Sequence, residues 1–551
     1  NLFVENGGRL KLYGPAIGGD VTELRLKSDN TTATNAYVEL RADWGWLDIR
    51  NTKITSWDSA VNGPDTEYLT YRRAYIRARS SLDPDGVTAH ESRMDVLNSE
   101  ICYLGSHNTE AYGLVWKVVD TTAVYIPVGS TNTLFDLVNV YGDILNSHLH
   151  NNFFGMYSYG QYGGHWATNE VDHNIGYGFD PHDDSDYLVI ENNYVHDNGW
   201  HGIIASKRCD HGIMRNNLSV HNGLDTSNPH GNGLMLHRSC NYWIIENNQS
   251  YNNADSGVAI FGCDNNIIRS NICLNNLRGV RLSVGADTNW VESNEIGSVA
   301  QYGLYVYEGS DPPEPDDEGG TESGHCSDNV FTNNYVHDYG AEAIKAQDCD
   351  SNLFVNNVFV GANTTLRFER GTNNMVLNNS LPTDTLMKVI GASTNLSSVT
   401  IKAQPLLSLL VDPYSTATFA DDSGATFDSS PNPVTTVVDN TGSFALFTSG
   451  LVGTSANTVA TRSLFTAPDS GGMLVNPLTW VSGGTKTWAA QASLDTVSVT
   501  YTVGDLLPGV SYLLSQNGSP VTNLTASAQG YVSFLTAPGT TAAVTYSITP
   551  P

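Results

Sequence analysis

From about residue 140 to 385 the chain repeats itself with a basic period of 22 to 24 residues, and this constrains its fold more than anything else. Each repeat passes from a Gly-led apolar strand through a polar turn to an Ile/Val-rich strand, then ends on a polar doublet, mostly Asn-Asn. The second doublet position falls at Ser147, Asn169, Asn193, Asn217, Asn248, Asn271, Asn294, Asn334, Asn357 and Asn379. The two long gaps mark insertions, one over 223–232 and an acidic one over 310–325. Such a period is too short for helical-pair repeats, and the leucine consensus of leucine-rich repeats is missing. A right-handed parallel β-helix remains, each repeat being one coil stacked on the last.

Apolar residues recur where such a helix needs them. Three places before the marker stand Ile190, Met214, Ile245, Ile268, Val291, Phe331 and Phe354. The repeated Asn reads as structural, since a turn Asn tolerates the left-handed region and bonds the next coil. Cys209, Cys240, Cys263, Cys326 and Cys349 share one turn position. Stacking of small side chains is the expectation there, with a Cys240–Cys263 disulfide as the alternative.

Segments such as 36–40, 46–49, 94–98 and 111–116 look like earlier coils, so residues 1–400 are expected to form the β-helix. Beyond 400 the composition turns to Thr, Ser, Val and Ala, with short alternating strands near 497–503, 511–515 and 531–535. Residues 401–551 are therefore expected to form an accessory β-sandwich.

Charge limits the partners. A formal net charge of −30 gives no basic stripe for nucleic acid. No run approaches the ~20 apolar residues of a membrane span. The seven cysteines form no CxxC pair and no zinc spacing, so no metal site is expected. A chain opening at Asn1 without a basic, apolar leader is what a processed, secreted or periplasmic form would give. A monomer is expected.

Within the ladder lies Tyr177-Gly178-Phe179-Asp180-Pro181-His182-Asp183, which packs a phenol, two carboxylates and an imidazole into seven residues. Aligning coils on the Gly-led strand puts Tyr177 over His201 and then over Asn232. The same alignment makes a column of Tyr159, His182, Ser206 and His237, with Lys207 and Arg238 following Asp183. One face thus collects titratable groups that stacking alone does not require. Asp180 and His182 share that face by strand alternation, and Asp183 reads as a turn residue. His230 lies on the first insertion and is a candidate to cap the groove. His196 and His221, at a turn position shared with His150 and His337, read as structural.

Tyr-Gly-Phe-Asp-Pro-His, followed one coil later by His-Gly-Ile-Ile-Ala-Ser-Lys, resembles the mannuronan C5-epimerases of the periplasmic bacterial and brown-algal type. Ser56-Trp57-Asp58, Ser92-Arg93-Met94-Asp95 and Tyr112-Gly113-Leu114 extend the resemblance over about residues 40–300. It implies a right-handed β-helix acting on alginate, an anionic polysaccharide, with His182 working on the C5 proton and Asp180 supporting it. The family usually carries arginine where Lys207 stands, and lysine keeps the charge but loses the bidentate fork. No cofactor is required by the sequence, and calcium stays open.

The chemistry so implied is proton abstraction α to a carboxylate. Lys207 would neutralise that carboxylate, with Arg238 as a second cation. His182 and Tyr177 would act on opposite faces of the sugar, Asp180 raising the proton affinity of His182. Tyr159, His201, Asn232, His237 and His230 would bind substrate. Two alternatives stay open from the residues alone. One is a lyase that abstracts the same proton and expels the C4 oxygen; the other is a non-catalytic glycan-binding β-helix.

Overall fold

The computed structural model describes residues 1–402 except 29–36, 70–71, 108–110, 120–132, 228–230, 313–321, 363, 383–384 and 393. Beyond 402 it describes 408–411, 415–420, 436–439, 444–446, 459–460, 464–468, 472–481, 483–492, 495–496, 498–504, 506–528, 530–536 and 541–551. It divides into two compact units. One comprises Asn1–Ala300 with Gly309–Gly324, the other Gln301–Glu308 with His325–Pro551.

The first unit is a parallel β-helix whose coils feed three long sheets. The first sheet pairs, in order, Glu39–Asp43, Tyr75–Leu82, Gly113–Val118, Phe154–Tyr159, Phe179–His182, Ile203–Ser206, Leu234–His237, Ser256–Phe261 and Arg278–Ser283. A second sheet includes Tyr162–Ala167, Asp186–Glu191 and Ile213–Arg215, and a third includes Glu100–Cys102, His148–His150, Glu170–Asp172 and Tyr194–His196. The repeat supplies one strand per sheet per coil, so the apolar member of each strand enters one continuous core. Ile190, Met214, Ile245, Ile268 and Val291 are fully buried in that core. Each such side chain contributes roughly 1.5–3 kcal/mol of burial energy.

The Asn doublets carry out two tasks with two residues. The first member takes the left-handed turn, with φ of 55° at Asn192, 54° at Asn216 and 54° at Asn247. The second member is buried, and its carboxamide oxygen accepts the backbone N–H of its counterpart one coil earlier. Asn169 donates to Asn193 at 3.0 Å, Asn193 to Asn217 at 3.1 Å and Asn217 to Asn248 at 2.9 Å. A parallel ladder of Asn152, Asn174, Asn198, Asn222, Asn253 and Asn276 closes the corner after the third sheet. Buried turn amides are thereby satisfied coil after coil, which a tightly wound chain needs.

In the second unit parallel coils continue through Ile344–Gln347, Thr365–Glu369, Leu386–Ile390 and Ser408–Val411, and through Asn374–Leu377, Ser397–Lys402 and Ser415–Ala420. Parallel pairing thus runs past residue 400. From Phe444–Leu446 onward pairing turns antiparallel. Two antiparallel sheets then share one core, a β-sandwich: Trp488, Tyr512, Tyr546 and Ile548 on one side, Tyr501, Val503 and Val532 on the other. All seven cysteines are free and buried. The backbone N–H of Cys240 lies 3.2 Å from the Cys263 sulfur, so the column is a stack and the disulfide alternative falls away.

Candidate active site

Two outward columns of the first sheet build the site. Register places Lys117, Tyr159, His182, Ser206 and His237 in one column, and Val115, Tyr157 and Asp180 in the other. Between the outward Asp180 and His182, Pro181 points inward beside the fully buried Phe179 of the same strand. This strand therefore anchors itself with its inward side chains while offering a carboxyl and an imidazole on its outer face.

His182 is held by Asp183, not by Asp180. Its Nδ1 hydrogen-bonds the Asp183 carboxylate, and 21% of the side chain stays exposed. Burial works against the imidazolium. The hydrogen bond to Asp183, with the charges of Asp183 and Asp180, outweighs it and raises the pKa above 6.5. Burial also opposes the Asp183 charge, but His182, Lys207 and Arg208 hold that carboxyl below its usual range. Arg208 reaches Asp183 at 3.2 Å and Asp184 at 2.8 Å, so Asp183 sits between an imidazole and a guanidinium.

Asp180 does something else. It is 1% exposed, and its Oδ1 is buried with no hydrogen-bond partner. Burial pushes its pKa up to about 7 and the Asp183 charge adds to this, while His182 and Lys207 pull the other way. A carboxyl so placed exchanges its proton near neutrality. Lys207, half-buried with φ of 62°, closes the cluster and brings positive charge to Asp180, His182 and Asp183.

Tyr177 belongs to an aromatic wall. Its ring packs 4.9 Å from Phe154 and from Trp200, and stacks at 5.4 Å on His201. His201 is buried, and its Nδ1 accepts the Asn232 backbone N–H at 2.9 Å, which fixes the ring in the wall. Asn232 is also tied down, its carboxamide oxygen accepting the Ser256 N–H at 3.1 Å. His201 and Asn232, expected to bind substrate, are both held in place by these bonds. Tyr159 pairs with His182 as the column predicts, and Lys117 lies 4.4 Å over its ring.

Arg238 departs most from expectation. Its Nε donates to Asp311 at 2.5 Å and its terminal nitrogen donates to the Pro312 carbonyl at 2.9 Å. His237 meets the same Asp311 carboxylate at 2.9 Å and Ser206 at 2.9 Å. The second cation expected for substrate is therefore already paired with a residue of the acidic insertion. That insertion is anchored at its base by a short antiparallel pair, Gly309–Asp311 with Glu322–Gly324. His230 lies outside the described residues.

Sequence reasoning missed Lys117, Tyr157 and the part played by Asp183. Tyr157 places its ring 5.6 Å from His182. Lys117, buried in the strand Gly113–Val118, was within reach of the same counting, one coil below Tyr159. Among the described residues, the His, Cys, Asp and Glu groups spaced to hold a metal include none of these side chains.

A family profile described as the right handed beta helix region matches residues 222–381. The mannuronan C5-epimerase of Pseudomonas putida is 25% identical over 291 residues, which is 52% of this chain and 50% of that protein. Mannuronan C5-epimerase AlgG of Azotobacter vinelandii is 28% identical over 268 residues, 48% of this chain and 45% of its own. The chain thus spans about half the length of these relatives. Among solved structures, that of the periplasmic alginate epimerase AlgG aligns with a TM-score of 0.48 at 20% identity, covering 62% of this chain and 77% of that one. No helix among the described residues is long and apolar enough to cross a membrane. The resemblance carried by the Asp-Pro-His motif is borne out: over about half of its length, this chain is similar in sequence to the mannuronan C5-epimerases.

Proposed function

We propose that the chain is a polysaccharide C5-epimerase, converting mannuronate to guluronate residues within an alginate-type polymer. The observation that carries this reading is the His182–Asp183 pair set beside a buried Asp180 and Lys207 on one exposed sheet face. Asp183 engages Nδ1, so Nε2 is the atom that exchanges the C5 proton. Lys207 stabilises the enolate-like charge that builds on the sugar carboxylate. Tyr177 serves the opposite face of the ring, one of the pair acting as base and the other as acid. The mobile protons are then those of His182, Asp180 and the phenol. The polymer setting of such an enzyme is extracytoplasmic, secreted or periplasmic.

The test is incubation with polymannuronate, with and without calcium, followed by proton NMR. Guluronate signals with unchanged chain length are expected, and His182→Ala should lower the rate by about 10²–10⁴-fold. Unsaturated ends absorbing in the ultraviolet would instead mean a lyase. Binding without any product would mean a glycan-binding module.

A further inference from the structure

On the third sheet, away from the columns described above, three successive coils present metal-ligating side chains outward. His148 pairs with Glu170 and His150 with Asp172 across adjacent strands, and Asp172 pairs in turn with His196. We infer that His148, Glu170 and Asp172, with His196 at their edge, form a binding site for a divalent transition-metal ion of the zinc class. One ligand atom from each of the first three already lies within 4.8 Å of the others. His148 Nε2 is 2.5 Å from an Asp172 oxygen, and His196 Nε2 is 3.4 Å from Glu170.

The surroundings are those of a supported site. His173 Nδ1 holds the second Asp172 oxygen at 2.5 Å, His150 stacks on His148 at 4.1 Å, and Tyr194 stacks on His196 at 3.9 Å. Such contacts fix the rotamers of ligands. Asp172 and His196 are sheltered, whereas 39% of His148 and 51% of Glu170 are exposed, which leaves a way in. Imidazole with carboxylate suits zinc and its neighbours, while calcium asks for six to eight oxygens.

Stacking does not require this set. The coils are held by the inward Ile101, Leu149, Val171 and Val195, all fully buried, and the outward places one coil further on are Leu218 and Val220. Just below, Glu100, Cys102 and His150 form a second triad of suitable spacing, but Lys53 already sits 2.7 Å from Glu100. Sequence spacing hid the upper site because its ligands come from coils 22 and 24 residues apart.

The experiment uses the full chain, stripped with chelator and titrated with zinc alone, read by calorimetry and by metal content after gel filtration. About one tightly held equivalent is expected, with a zinc-dependent rise in melting temperature. His148→Gln and Asp172→Asn should each weaken binding by at least ~10-fold, with circular dichroism confirming the fold. His182→Gln should leave the affinity unchanged. Equal zinc affinity in wild type and both variants, or loss only in His182→Gln, would overturn the assignment.

Discussion

Asp183 reaches His182 only because the strand stops there. Neighbours on a regular strand point to opposite faces, so Asp180, two residues back, was the natural partner by pattern. Instead the strand Phe179–His182 ends, and Asp183 and Asp184 turn with φ of 30° and 53°. That turn swings the Asp183 carboxylate onto the imidazole and leaves Asp180 buried without it. The geometry depends on local dihedrals, which a repeat alignment does not carry. Two pH-dependent outcomes follow. In wild type, activity that needs neutral His182 should rise with pH through an apparent pKa above 6.5. Asp183→Asn removes the charge that favours imidazolium, so the acid limb of the kcat/KM profile should move to lower pH while the rate falls. Asp180 has its folded pKa raised to about 7, so its stabilising contribution is full below pH ~4 and is lost as pH rises through about 7. Asp180→Asn should therefore raise the melting temperature at pH 8 and have less effect near pH 4, with at most roughly 4 kcal/mol at stake.

At the scale of elements, the doublets were legible as structural but not as a division of labour. Asn193→Ala removes the acceptor of the Asn169 N–H and the bonds from the Asn193 carboxamide to the Trp166 carbonyl and to Asn217. A loss of about 1–3 kcal/mol for each buried group left unpaired is expected, seen as a lower denaturation midpoint. Asn192, whose task is only the left-handed turn, should accept Gly with little change. The columns through Tyr159, His182, Ser206 and His237 were readable because every coil keeps its count from the Gly-led strand. Asp311 was not, since it lies 74 residues from His237 and arrives on an insertion that obeys no period. Asp311→Asn should weaken its hold on Arg238 and His237. On the proposed function, the KM for polymannuronate then falls by a few-fold while kcat changes little.

Across the whole molecule, the sequence marked both architectures, since a period near 23 and a Thr/Ser/Val-rich tail ask for different kinds of burial. Two kinds of core are present, aliphatic and aromatic rows stacked along the parallel coils and a cluster around Trp488, Tyr501 and Tyr546 in the antiparallel sheets. Cysteine follows the same logic of burial. With all seven thiols free and buried, a thiol reagent should label almost none in the native protein and seven after denaturation without reductant. A titration that finds fewer after denaturation would reveal a disulfide.

The coil-to-coil hydrogen bonds of the Asn ladders have a consequence for specificity. They lock successive strands at the parallel-sheet spacing of about 4.8 Å, so His182 and His237 stand roughly 10 Å apart. A polymer lying along the axis would meet one graduation of a ruler per coil. Substitutions within a single outward row would then address a single sugar unit, and a lengthened coil corner could rewrite the reading of one unit without disturbing its neighbours.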